Sequence, residues 1–231
     1  MAIKSGETTY HQAKRGIVQN GLVLNLDAGV DASYNGGTTW RDLEGGNNGT
    51  LTNGPTFDRD DGGSIVFDAT NEYVLSDVDF SINPSNGITM GIWVKGSSAT
   101  NNTLISYSKP LTNNGCRLQL YQSKVNFVYG GVASYSFNYS AATFFNNTWR
   151  HLFVSSDGSN ALMYLNGSYF NSVSLGTPST SDLSRVLISQ YTHQAGSGFG
   201  GSCSAAYIYN RALTASEVLQ NYNVTRHRFG V

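Results

Sequence analysis

The stretch WRHLFVSSDGSNALMYLNG, residues 149–167, predicts two β-strands and the turn between them. In each half, apolar side chains occupy both the odd and the even positions, so both faces of the predicted hairpin are apolar. Asp157-Gly158 supplies a turn that tolerates positive φ, and Asn166-Gly167 ends the unit with a second turn signal. Apolar residues on both faces are typical of a strand near the middle of a two-sheet stack. We therefore expect this hairpin to lie near the centre of the fold.

The rest of the chain repeats such strands at short, regular spacing. Together with the hairpin we predict about fourteen strands, the others at residues 21–28, 38–43, 64–68, 72–76, 88–95, 103–108, 116–121, 124–129, 132–139, 168–175, 185–189 and 202–210. Within GGNNGTLTNGP, residues 45–55, turns are predicted at residues 45–49 and at Asn53-Gly54-Pro55. Many short strands joined by turns predict an all-β sandwich or jelly roll.

The ends of the chain differ from this pattern. Thr214-Ala215-Ser216-Glu217 has the spacing of a capping box and predicts one short helix, which must dock on the sandwich. Residues 1–18 are polar and show no sustained period, so we predict an N-terminal arm there, either laid on a neighbouring subunit or a frayed terminus. Residues 19–231 form one predicted jelly-roll domain.

Composition narrows the classes of function. The chain has 231 residues, 39% of them hydrophobic and 13% charged, and its formal net charge is −1. No nucleic-acid partner is expected from this charge. The first residues lack the apolar region of a signal peptide, and no stretch is apolar enough for a membrane span, so no membrane partner is expected. We expect synthesis in a cytoplasm, with Cys116 and Cys203 reduced in the core; a disulfide between them is the alternative.

Six stretches of the chain, taken in order, resemble the concanavalin A-like, laminin-G-like jelly-roll domains carried by phage and bacterial surface proteins. They are GLVLNLDAG (21–29), WRDLEGGNNGTLTNGPTF (40–57), GGSIVFDATNEYV (62–74), ITMGIWVK (88–95), the opening hairpin (149–167) and AYIYNRALTASEVLQNYNVTRHRFG (206–230). The resemblance implies a concanavalin A-like jelly-roll sandwich of two antiparallel sheets with one short C-terminal helix.

The resemblance also implies a class of function. The LDAG, NNGTL and RFG elements look most like proteins on tailed-phage particles. This implies a non-enzymatic virion structural protein, either a capsid decoration or a tail or fibre appendage. It would work at the virion surface after synthesis in the host cytoplasm, repeated or oligomeric in an assembly with other virion proteins and in contact with a surface glycan. The alternative is a carbohydrate-binding adhesin or receptor-binding module, and a glucanase-like glycoside hydrolase is the third candidate.

The acidic residues do not form the pattern of the hydrolases with this fold. Those enzymes resemble one another in an E-x-D-x-x-E strand, and retaining hydrolysis needs two carboxyl groups about 5 Å apart. Asp77 and Asp79 share a strand face but no Glu follows two residues on, so no catalytic residue is predicted. No cofactor is expected beyond a structural calcium, which relatives often hold with loop carboxylates. The carboxylates considered for it, which also fit ordinary turns, are Asp27, Asp31, Asp58, Asp60, Asp61 and Asp68.

Glycan binding requires exposed aromatic rings with amide groups nearby. We interpret the aromatic rows at residues 124–129 and 132–140 as core. Aromatic residues in loops are the better contact candidates, although each also fits a structural role. They are Tyr34, Trp40, Tyr107 and Tyr191, with His193 in the loop that follows Tyr191.

Overall fold

Two antiparallel sheets of eight strands each form the fold. The computed structural model describes residues 16–96, 102–108, 115–131, 133–178, 185–190 and 198–231. Its strands are β1 Leu22–Asp27, β2 Thr39–Trp40, β3 Gly49–Thr52, β4 Thr56–Asp58, β5 Ser64–Asp68, β6 Tyr73–Ser76, β7 Ile88–Gly96, β8 Asn102–Ser108, β9 Gly115–Tyr121, β10 Lys124–Tyr129, β11 Ala133–Ser140, β12 Arg150–Ser156, β13 Asn160–Leu165, β14 Ser168–Ser174, β15 Arg185–Ile188 and β16 Gly200–Tyr209. The described helices are α1 Ala141–Phe144, α2 Ala215–Thr225 and three 3-10 turns, Asp60–Gly62, Pro84–Asn86 and Arg226–Arg228.

The predicted hairpin lies where the sequence places it. The first sheet has the order β14-β13-β12-β7-β16-β5-β4, with β1 also paired to β16, and β12 is therefore a central strand. The second sheet has the order β11-β10-β9-β8-β15-β6-β3-β2. Leu152 and Val154 of β12 enter the core between the sheets. Phe153 points the other way and is buried in a second cluster with Val218 of α2 and Phe229, so the C-terminal segment covers that face. The all-β sandwich prediction is confirmed.

Two strands, β3 and β4, are not predicted from the sequence: β3 fills the space between the two predicted turns, and β4 follows the second turn. Each sends one apolar side chain, Leu51 or Phe57, to the core. With four and three residues, these strands show too little alternation to be recognised among turn residues. The predicted strand at 38–43 is shortened to β2, because the Asp42 carboxylate accepts hydrogen bonds from backbone amides of the next loop.

The chain ends are fastened to each other. The predicted capping box is present, with Thr214 Oγ1 accepting from the Glu217 amide and Glu217 Oε2 accepting from the Thr214 amide. The Val18 amide donates to Asn221 Oδ1 of α2 at 2.8 Å. Residues 16–18 of the predicted arm therefore belong to the folded body, and residues 1–15 lie outside the described residues. In the part of the chain that the structure describes, no helix is long and apolar enough to cross a membrane.

The two cysteines lie in the core as free thiols. Cys116 belongs to β9 and Cys203 to β16, so each sheet contributes one. Burial raises the pKa of Cys116 to about 12 and that of Cys203 further still. Both thiols therefore remain protonated at neutral pH and act as small apolar core residues.

Candidate functional site

Three of the predicted contact residues lie in the core. Tyr34, Trp40 and Tyr107 are buried in the cluster between the two sheets. The Tyr107 hydroxyl donates to a backbone carbonyl at 2.6 Å and accepts from a backbone amide at 2.8 Å, so its polar end is used internally. Because these rings fill the core, they present no face to a ligand, and the prediction is corrected for all three. Tyr191 and His193 lie outside the described residues.

Polar side chains line the outer face of β9, β10 and β11, the face turned away from the first sheet. Strand alternation accounts for them. Leu118 and Leu120 enter the core between the sheets, which leaves Arg117, Gln119 and Tyr121 on the opposite face of β9. Tyr121 is 41% exposed, although it ends a strand whose other side is fully buried. This face therefore offers an aromatic ring beside polar groups.

Four of these side chains form one hydrogen-bonded network, which we call the polar array: Arg117, Gln119, Asn126 and Ser134. Arg117 Nε donates to Gln119 Oε1 at 2.7 Å, and Gln119 Nε2 donates to Ser134 Oγ at 3.4 Å. Ser134 Oγ donates to Asn126 Oδ1 at 3.4 Å. Gln119 and Asn126 are buried, whereas Ser134 is exposed. Because each polar group is held by its neighbour, the array has a fixed shape before a ligand arrives.

The β9–β10 turn holds Tyr121 at the end of the array. Gln122 and Ser123 both have positive φ, 50° and 59°, as a two-residue type I′ turn requires. Neither residue is glycine, so this conformation costs free energy. Asn126 Nδ2 offsets the cost by donating to the Tyr121 and Lys124 carbonyls at 2.8 and 2.9 Å. Tyr121 and Lys124 therefore face each other across the two strands.

The surface continues around the edge of the sandwich, where β11 approaches β14. Lys124 Nζ donates to Asn138 Oδ1 at 2.7 Å. The next residue, Tyr139, packs edge-to-face on Phe170 of β14, with ring centroids 4.8 Å apart. Phe170 has no partner in the β13–β14 register, which shifts at this point. We call Tyr139 and Phe170 the edge platform; Phe170 is 41% exposed.

Asn171 closes the edge between the two sheets. Its Nδ2 donates to the Phe137 carbonyl of β11 at 3.1 Å, and its Oδ1 accepts from the Ser172 amide at 2.8 Å. Nearby, the Tyr135 hydroxyl accepts from the Gly176 amide at 2.7 Å. These bonds occupy one carbonyl of β11, one amide of β14 and the Gly176 amide beyond β14, which would otherwise be open to an added strand.

Four of the six carboxylates considered for calcium are engaged with other groups. Asp27 Oδ2 pairs with Arg228 Nη1 at 2.7 Å, and Asp61 pairs with a lysine of β7. The carboxylates of Asp58 and Asp68 each accept from the backbone amide two residues on, as turn residues do. In the described ranges, no group of three or more His, Cys, Asp or Glu is placed to hold a metal ion.

His151 lies in the aromatic cluster between the first sheet and α2. Its ring is fully buried and stacks on Phe153, with centroids 4.3 Å apart. Neither ring nitrogen has a hydrogen-bond partner, and burial lowers the pKa of His151 to about 3. The side chain is therefore a neutral residue of the aromatic cluster.

Sequence reasoning did not identify Tyr121, Phe170 or its neighbour Tyr169, which is 55% exposed. The sequence does contain one indication that Tyr169 or Phe170 is exposed. Successive side chains of a strand point to opposite faces, so the adjacent aromatic residues Tyr169 and Phe170 cannot both enter the core of a regular strand. For Tyr121 the signal is weaker, since it shares its face with Gln119 rather than with an apolar residue.

Comparison with solved structures gives several similar folds. Domain 4 of AbnA, an extracellular arabinanase from Geobacillus stearothermophilus solved in complex with arabinotriose, has a TM-score of 0.66 at 20% identity, covering 89% of this chain and all 100% of that domain. The receptor binding domain of botulinum neurotoxin type G has a TM-score of 0.64 at 16% identity, with 89% of this chain and 51% of that one covered. Trypanosoma rangeli sialidase in complex with 2,3-difluorosialic acid has a TM-score of 0.63 at 13% identity, with 95% and 38% covered.

At these identities the likeness is one of fold alone. The chain spans the whole of the arabinanase domain but about half of the neurotoxin domain and less of the sialidase. The fold is thus shared by parts of hydrolytic enzymes and by a receptor-binding domain. A search of curated proteins found no significant match. A family model described as the concanavalin A-like lectin/glucanases superfamily, of the laminin G type, matches residues 67–219, more than half of the chain, and the chain belongs to this superfamily.

Proposed function

We propose that this chain is a non-enzymatic carbohydrate-binding module that holds an oligosaccharide on the polar array and on the ring of Tyr121. The observation that carries the proposal is an exposed ring on the same face as a hydrogen-bonded polar network, whose two amides are buried and whose outermost member, Ser134, is exposed. A sugar presents an apolar C–H face, which packs on an aromatic ring, and hydroxyl groups, which need donors and acceptors. Tyr121 and the array supply both kinds of contact on one face.

The charge pattern supports binding without hydrolysis. Both stereochemical classes of glycoside hydrolase generally use two carboxyl groups that flank the scissile bond. The chain has no Asp or Glu between Asp79 and Asp157, a stretch that includes every strand of the polar array. A sugar bound there meets hydroxyl, amide and cationic groups, and the strands beneath it supply no carboxyl group.

The test is a glycan-binding screen with a matched pair of variants. We expect the wild-type chain to bind at least one of a set of arabinan, glucan, galactan and xylan oligosaccharides, arabinotriose included, without releasing sugar. Tyr121→Ala should weaken that binding about tenfold, ~1.4 kcal/mol, because the stacking surface is removed. Leu219→Ala, at a 43% exposed position on α2, is the control and should bind like the wild type. Equal binding by Tyr121→Ala, no binding at all, or turnover of the sugar would each refute the proposal.

We further propose that the module works on a phage virion, with other virion proteins as partners, as its sequence resemblance implies. The observation that favours an attachment surface separate from the polar array is the anchoring of residues 16–18. The Gln220 side chain donates to the Gly16 carbonyl at 2.8 Å, and the Tyr209 hydroxyl donates to the Val18 carbonyl at 3.0 Å. Residues 1–15 therefore begin from a fixed point beside α2, from which they can reach a neighbouring protein.

Particles that lack this protein provide the test of the virion proposal. The purified chain should bind to them, and a variant without residues 1–15 should bind more weakly while keeping its affinity for sugar. If the purified chain binds sugar but does not bind these particles, it is an adhesin or receptor-binding module that works outside the virion.

A further inference from the structure

The edge platform is a second exposed aromatic surface, and it lies close to the first. Ser140 of β11 is in register with Lys124, which is in register with Tyr121. Two strand spacings, about 10 Å, therefore separate Tyr121 from the end of β11 that carries Tyr139. The hydrogen bond between Lys124 and Asn138 bridges the two surfaces. A single extended ligand can therefore contact both.

The chemistry of the edge favours a sugar over an added strand. β14, with the sequence SYFNSVS, carries no charged residue, and its two aromatic rings are exposed. Asn171 bonds to one backbone carbonyl of β11 and one backbone amide of β14, and Tyr135 bonds to the Gly176 amide beyond β14, so strand addition is hindered at these points. The shift in the β13–β14 register also interrupts the regular edge at Phe170. What remains available is the surface of the rings, with the Asn138 side chain beside them.

We propose that the edge platform is a second sugar-binding subsite, continuous with the polar array, and that the module recognises an extended glycan chain rather than a single terminal sugar. This inference rests on the proposed carbohydrate-binding function. One sugar with its linkage extends roughly as far as one strand spacing, ~5 Å, so the path from Tyr121 to Phe170 takes about three sugars or more. Affinity should therefore rise with chain length until both ring surfaces are covered.

Titration calorimetry with length series tests this proposal. The probes are α-1,5-arabinan, β-1,4-glucan and β-1,4-galactan oligomers of roughly one to six sugars, enough to exceed the two-strand span of the site. For the wild-type chain we expect the hexamer of the preferred series to bind at least tenfold more tightly than the dimer. Phe170→Ala should remove this gain and leave dimer binding unchanged. Leu219→Ala is the matched control for an exposed apolar side chain, and melting curves establish that each variant is folded.

The outcomes separate this inference from the function on which it rests. If short sugars bind and Tyr121→Ala weakens the binding as expected, but Phe170→Ala leaves the length dependence intact, the second subsite alone is refuted. If no oligosaccharide series binds, both the carbohydrate-binding function and the second subsite are refuted. If Phe170→Ala alters the association state of the sugar-free chain instead of the hexamer affinity, the edge platform binds a second copy of this chain, and the inference is overturned.

Discussion

Acidification from pH 7 to pH 5 should destabilise this protein through His151. The imidazole is fully buried against Phe153, Trp93 and Tyr222 of α2, with ring centroids 4.3, 4.9 and 5.5 Å away. Neither ring nitrogen has a hydrogen-bond partner, so no contact favours the charged form, and burial lowers the pKa to about 3. In the unfolded chain the pKa of the same imidazole is about 6.5.

The sign and size of the effect follow from proton linkage. The unfolded state binds the proton more tightly than the folded state does. The contribution of His151 to the free energy of unfolding is therefore fully present above pH 6.5 and is lost as the pH falls towards 3. At 1.36 kcal/mol per pKa unit, the free energy of unfolding falls by about 2 kcal/mol at pH 5, and by about 5 kcal/mol over the whole window. The pKa of Glu217 is lowered to about 2 by its bonds with Arg211. Its contribution to stability is therefore still present at pH 5 and is lost as the pH falls from the ordinary pKa of a glutamate towards 2.

Urea unfolding at pH 7 and pH 5, followed by tryptophan fluorescence, measures this change. The wild-type free energy of unfolding should be about 2 kcal/mol lower at pH 5, with an unchanged slope against urea concentration. His151→Leu, which has a similar volume and no titratable nitrogen, should lose much less between the two pH values. Equal losses in the two proteins would refute the assignment, because the pH dependence would then belong to other groups.

Three further predictions concern contacts that hold the sandwich together. Asn171→Ala should lower the free energy of unfolding by about 1–3 kcal/mol and promote self-association, which light scattering detects, since it opens the sheet edges; a variant that stays monomeric would argue against the closing role. Arg228→Met leaves the Asp27 carboxylate buried without its partner and should cost about 3–5 kcal/mol in urea unfolding. Adding Asp27→Asn should restore part of this, whereas additive losses would contradict the pairing. Gly91→Ala would place a methyl group 2.1 Å from Phe153 Cζ and should lower the melting temperature through overpacking of about 1–3 kcal/mol, unless Phe153→Leu is combined with it.

Much of the fold is predictable because strand geometry forces a period of two. The hairpin of β12 and β13 shows this period most clearly. Its central place is predicted from one feature, the apolar side chains at both the odd and the even positions. The cap of α2 is also local, since Thr214 and Glu217 lie three residues apart. β3 and β4 were not predictable in this way, because each has too few residues to show alternation; pairing fixes them, β3 with β2 and β6, and β4 with the adjacent β5.

The candidate site was less predictable, for two physical reasons. The burial of Tyr34 depends on how its loop returns to the body, where its ring packs 4.9 Å from Phe57, and no local pattern encodes that contact. Tyr139 belongs to the aromatic row at 132–140 that is predicted as core, in which Phe137 is buried and Tyr135 is partly buried. Tyr139 is also only partly buried, beside a register shift in which Asn138 takes a φ of 57°. Because non-glycine residues rarely adopt positive φ, the sequence does not indicate that Asn138 takes this conformation.

The two outer faces of the sandwich explain why one of them is the candidate binding surface. On the first sheet, the positions that point away from the core carry Trp93, His151 and Phe153, and the C-terminal segment covers them. On the second sheet, the equivalent positions of β9 carry Arg117 and Gln119, whose polar groups bond to one another. The alternation of side chains predicts which residues lie on each outer face, but it does not predict which of the two faces the C-terminal segment will cover. An apolar outer face must be covered for the chain to be stable in water, whereas a polar face in register can stay open to a ligand. Across β9–β11 the outer face carries polar groups that bond to one another and reaches water at Tyr121 and Ser134, and it is there that binding should be sought.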